Sequence, residues 1–113
     1  MINNLTWEEF SKVKMAVGTI MKVQDFPEAR KPAYQLWINF GEEIGERKTS
    51  AQITDKYSKE ALIGKQVVAV INFPEKQIAN FMSQCLLLGA VGEGNEVTII
   101  SPESKIENGL FIS

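Results

Sequence analysis

The chain has no histidine and only one cysteine, Cys85, among its 113 residues. The first absence removes Ser-His-Asp and Cys-His catalysis, histidine-ligated zinc and the commonest acid–base group at neutral pH. The second removes any disulfide within the chain and any four-cysteine zinc site built from one chain. There is no GxxxxGKS or GxxxxGKT loop and no GxGxxG after a strand, so the usual phosphate cradles are missing as well. No apolar run approaches the roughly 20 residues that a bilayer-spanning helix needs, and membrane insertion is not expected. The opening MINNLTWEEF has no basic region ahead of an apolar stretch, which reads as no signal peptide. With an unpaired cysteine, a reducing cytoplasm is the expected location. Positive charge is not in excess either: 12 Lys and Arg stand against 14 Asp and Glu, a net charge of −2. Any nucleic-acid site must then be a local basic patch on a mildly acidic body. These absences point away from an enzyme, a cofactor or a metal and towards binding.

The apolar and charged fractions, 44% and 23%, are those of an ordinary globular protein, and the length suits a single domain spanning 1–113. Thr6-Trp7-Glu8-Glu9 reads as a capping box that opens a short helix over 7–12. Residues 13–23 read as a strand, with Gly18 marking a bend or bulge. Period two over 34–40 turns Tyr34, Leu36, Ile38 and Phe40 inward and leaves Gln35, Trp37 and Asn39 outside. A turn over 41–45 leads to a third strand over 47–53, and Thr54 or Asp55 can cap a short helix that Gly64 ends. Residues 66–73 are nearly all apolar and rich in β-branched side chains, a buried strand. A short loop with Pro74, Glu75 and Lys76 then leads to a fifth strand over 82–89. A further short strand over 97–100 and an Asn108-Gly109 turn complete the pattern. Five strands with a helix after the third is the order of an all-β, five-stranded oligonucleotide/oligosaccharide-binding (OB) Greek-key barrel.

Several separated segments carry a more specific likeness. They are VGTI at 17–20, FPEARKPAYQLWINFGEEIG at 26–45, SAQIT at 50–54, LIGKQVVAVINFP at 62–74, IANFMSQCLLLG at 78–89 and NG at 108–109. In this order and spacing they resemble the tRNA-binding domain family, in particular its free-standing CsaA type. The resemblance implies an OB fold, a homodimer and binding to tRNA or tRNA-like RNA. It also implies an export-related chaperone role, with unfolded preproteins and the export motor as partners.

Specific residues can be weighed for these roles. Arg30 and Lys31, in the loop between the first two strands, border the usual OB ligand face and could contact phosphates; the alternative is a solvated loop. Lys48, Ser50 and Gln52 share one face of the third strand, where hydroxyl and amide groups could meet base edges or ribose hydroxyls. Asn72, Lys76 and Ser83 surround the loop between the fourth and fifth strands, where the resemblance places tRNA contacts, and Glu75 there dilutes the basic charge. Trp37 could stack on a base, fill a dimer interface or sit beneath the N-terminal helix. Trp37, Phe81 and Met82 are candidates for an apolar lining that takes unfolded peptide. Trp7 and Phe10 of the N-terminal helix, with Leu110, Phe111 and Ile112 of the tail, are candidates for the dimer interface. Cys85, in an apolar run, reads as a small buried hydrophobe.

Overall fold

A computed structural model describes residues 3–113. In chain order the elements are α1 (Trp7–Ser11), β1 (Met15–Asp25), β2 (Tyr34–Asn39), α2 (Gly41–Ile44) and β3 (Glu46–Ala51). Next come α3 (Lys59–Leu62), β4 (Gln66–Val70), β5 (Lys76–Ile78), β6 (Phe81–Ser83), β7 (Leu86–Leu87), β8 (Gly89–Val91) and β9 (Val97–Ile99). One antiparallel sheet runs in the order β3-β2-β1-β4-β7. The 11-residue β1 serves two partners, pairing with β4 through Met15–Thr19 and with β2 through Thr19–Asp25.

The sheet curls until its edges meet, and side chains make much of the seam. Gln84 donates its backbone N–H to Lys48 O at 2.8 Å and accepts from Lys48 N through Oε1 at 3.1 Å. Ser50 N donates to Ser83 Oγ at 3.2 Å, and Thr49 Oγ1 donates to Cys85 O at 2.7 Å. Edge donors that would otherwise be unpaired are thereby satisfied. The result is the nearly closed five-stranded OB barrel that the strand order implied.

The alternation in β2 holds: Tyr34, Leu36 and Ile38, with Phe40 just beyond, are buried in the main core with Ala16, Ile20, Leu62 and Val67. The capping box also forms, with Thr6 Oγ1 accepting from Glu9 N at 3.1 Å. Gly18 has a different role from the one its position suggested. The register shift in β1 falls between Ile20 and Lys22. At Gly18 a Cβ would come within 2.6 Å of Ile38 and 2.7 Å of Phe40, so glycine makes room for the core.

Two other expectations are corrected. α3 is capped by Ser58, whose Oγ accepts from Ala61 N at 3.1 Å, while residues 54–56 form a turn. The fifth strand is not continuous: β5 and β6 form a separate hairpin through Ala79, at φ 53°, and Asn80. Only Leu86 and Leu87 then join the main sheet, beside β4.

The segment after α1 and the C-terminal tail both meet the barrel where β1 begins. Asn72 accepts from Lys14 N at 3.0 Å and donates to Lys12 O, which ties the segment after α1 to the end of β4. The tail runs beside β1, with Leu110 O accepting from Val17 N at 3.0 Å and Ile112 N donating to Met15 O at 2.9 Å. Asn108 Oδ1 accepts from Thr19 Oγ1 at 2.8 Å and Gln66 Nε2 at 3.0 Å. Trp7, Leu110, Phe111 and Ile112 remain exposed there, Trp7 to 89%.

Candidate nucleic-acid interface

The loop between β1 and β2 is held by its two ends. Phe26 and Ala33 are buried, and Ala29 N donates to Phe26 O at 3.2 Å to close a turn. That turn presents Arg30 and Lys31. On β3 the inward Thr49 leaves Ser50 on the outer face, with Gln52 two residues further on. The β5–β6 hairpin pairs Lys76 with Ser83 at its open end.

These three pieces enclose a groove of about 1600 Å³. Arg30, Lys31, Ser50, Gln52, Lys76 and Ser83 all line it, so six of the eight expected RNA-contacting side chains come together. The other two lie elsewhere. Asn72 is engaged by the N-terminal segment, and Lys48 extends over the ring of Phe81, its Nζ 4.9 Å from the centroid.

Among the described residues the one ion pair is Lys59–Asp25 at 2.8 Å, so Arg30, Lys31 and Lys76 are not neutralised by a bound carboxylate. Hydrogen bonding to Asp25 raises the Lys59 pKa, with the carboxylate's charge as the next cause. Glu75 also lines the groove, and its Oε2 accepts from Gln84 Nε2 at 3.2 Å. The groove therefore offers three cations on flexible stems, one acid, and hydroxyl and amide groups along β3. That set suits a polyanion with some hydrogen-bonding edges. Ser83 already serves the barrel seam, since its Oγ accepts from Ser50 N and lies 3.4 Å from Ser50 Oγ.

The wall also contains Cys85, 7% exposed. Burial pushes its thiol up to about 12, only partly opposed by Arg47 and by the hydrogen bond with Thr49. A thiol so fully protonated at neutral pH is a poor nucleophile, and Cys85 acts here as a buried small hydrophobe.

The apolar residues need a correction. Phe81 is 6% exposed and forms a second small core with Phe26 and Ala33, rather than an open peptide-binding lining. Trp37 packs against Phe81 edge to face, centroids 5.9 Å apart, and not beneath α1. Of the three, Met82 alone is markedly exposed, at 37%. The apolar lining of the groove includes Phe73 and Leu86, 56% and 49% exposed, beside Leu87 and Leu88. Both sit in runs so apolar that the sequence reads them as strand interior. The one signal against that for Phe73 was the Pro74 that follows it.

Residues 15–110 match the family described as "Putative tRNA binding domain". The solved structure of the chaperone CsaA from Bacillus anthracis superposes with a TM-score of 0.94 at 43% identity, over 98% of this chain and 100% of that one. The CsaA chaperone protein from Picrophilus torridus gives 0.91 at 49% identity, over 97% and 100%. The methionine–tRNA ligase of Pyrococcus furiosus is 34% identical over 105 residues, which is 93% of this chain and 14% of the ligase. The chain thus spans about a seventh of the length of that curated relative.

Proposed function

This chain belongs to the tRNA-binding domain family, in its CsaA-type form, and on that premise we propose that it is a non-catalytic, cytoplasmic homodimer that binds tRNA or a tRNA-like RNA. The observation that carries the reading is the convergence of Arg30, Lys31 and Lys76 on one groove that also presents Ser50, Gln52 and Ser83. The cations contact phosphates and set position; the β3 side chains meet ribose hydroxyls or base edges. The whole chain, residues 1–113, acts as one domain. Two copies related by a twofold axis double a cationic surface that is small in one barrel. The exposed Trp7, Leu110, Phe111 and Ile112, with the half-buried Phe10, supply the interface.

The direct test is filter binding of tRNA at low salt to the wild type and to an Arg30→Ala/Lys31→Ala/Lys76→Ala variant. The variant is expected to lose most of its affinity with an unchanged melting temperature, because none of the three side chains belongs to the core. Undiminished affinity in a folded variant would remove the groove from the RNA site.

A second reading has its own observation. The exposed Phe73 and Leu86 give the groove an apolar lining fit for segments of unfolded preproteins, in keeping with the chaperones this chain resembles. The export motor would then be the partner that receives them. Peptide binding of that kind persists as salt rises, whereas phosphate contacts weaken.

A further inference from the structure

β1, β2 and β3 carry one row across their outer face: Lys22 lies opposite Trp37, and Trp37 lies opposite Lys48. Neighbouring strands are about 4.8 Å apart, so the two lysines flank the indole at a backbone separation of about 10 Å. Their ammonium groups are held in place. Lys22 Nζ is 4.6 Å from the Trp37 ring centroid, and Lys48 Nζ is 4.9 Å from that of Phe81. The two rings meet edge to face. The result is a stack in the order Lys22, Trp37, Phe81, Lys48, with a cation at each end of an aromatic pair.

Neither ammonium belongs to an ion pair among the described residues. The row also leads straight into the groove. Lys48 and Ser50 are alternate residues of β3, as Phe81 and Ser83 are of β6. The Lys48–Phe81 contact and the Ser50–Ser83 contact therefore stand side by side. Ala29, Ala33 and Ile78 belong both to the groove wall and to the small core beneath Phe81.

We propose that Lys22 and Lys48 are phosphate-contacting residues for the same RNA that enters the groove, so that its track continues over the outer face of β1, β2 and β3. The proposal rests on the RNA reading above and extends it to a surface outside the groove. Trp37 and Phe81 are positioning residues: they fix two long side chains before the ligand arrives, which lowers the ordering cost of binding. The ligand chemistry is a phosphodiester backbone; the row itself offers little to read a base sequence.

The experiment is the slope of log K against log salt concentration for labelled tRNA, measured by anisotropy on the wild type, Lys22→Gln, Lys48→Gln and the double variant. Each phosphate contact removed lowers the slope by about 0.7 on a single strand and about 0.9 on a duplex. The double variant is therefore expected to lose about 1.4 to 1.8, and Lys22→Arg, which keeps the charge, is expected to restore the wild-type slope. A melting temperature measured alongside separates binding from packing. Slopes that stay at the wild-type value, with or without a fall in melting temperature, would overturn the proposal and leave the stack as a stability device. If the wild type binds no tRNA, the RNA reading fails and this proposal with it. If the wild type binds and only the Gln variants leave the slope unchanged, this proposal fails alone.

Discussion

Cys85 illustrates how one buried group couples the barrel seam to pH. Its thiol stands at about 12 in the folded chain against an ordinary 9.0, chiefly because burial disfavours the thiolate. A raised folded pKa stabilises the fold below the unfolded value, and that stability is lost as pH climbs from about 9 towards 12. The slope is about 1.4 kcal/mol per pH unit for full separation of the two states, and residual solvent access reduces it. Urea midpoints between about pH 8 and pH 10 are expected to fall in the wild type and to fall less in Cys85→Ala. Equal slopes in the two proteins would show that the thiol titrates alike folded and unfolded. Ser83 shows a different coupling at the same seam. Its hydroxyl satisfies Ser50 N, so its loss removes a bond from the barrel as well as a donor from the groove.

Elements differ in how plainly their sequences announce them. β2 was legible because strict alternation can bury only one face, and Tyr34, Leu36, Ile38 and Phe40 are that face. The capping box of α1 was legible because both partners lie within one turn. The β5–β6 hairpin was not. Its turn uses Ala79 at positive φ rather than the glycine such turns favour, and the sequence reads 82–89 as one strand with no strand before it at 76–78. Six groove residues could be named beforehand because OB topology brings the first loop, β3 and the β5–β6 hairpin together. Asn72 could not be placed, since its partners lie about 60 residues earlier in the chain. For the same reason Asn72→Ala is expected to act on α1 rather than on RNA. It removes two hydrogen bonds that hold the segment after the helix, at a cost of about 1–2 kcal/mol. Amide exchange at Lys14 is expected to accelerate while tRNA affinity is unchanged; a protected Lys14 amide in the variant would show that the tether is dispensable.

At the scale of the molecule, an acidic chain with a cationic groove gains most from presenting that groove twice. Sedimentation is expected to give a mass about twice the 12.6 kDa of the chain. Trp7→Ala/Phe111→Ala is expected to shift the protein towards monomer, because it removes two strongly exposed aromatic side chains, one from α1 and one from the C-terminal tail. A wild type that sediments as a monomer would contradict the dimer, and the groove would then have to act singly.

The measurement that bears most directly on the central claim is the anisotropy of labelled tRNA titrated with the wild-type protein at about 50 mM and about 200 mM salt. Saturable binding at the lower salt is expected. Three phosphate contacts per groove imply a loss of about 40-fold at the higher salt, and more if both grooves of a dimer engage one RNA. No saturable binding at low salt would contradict the RNA reading. Binding that is indifferent to salt would do the same and point to the apolar lining of the groove as the working surface.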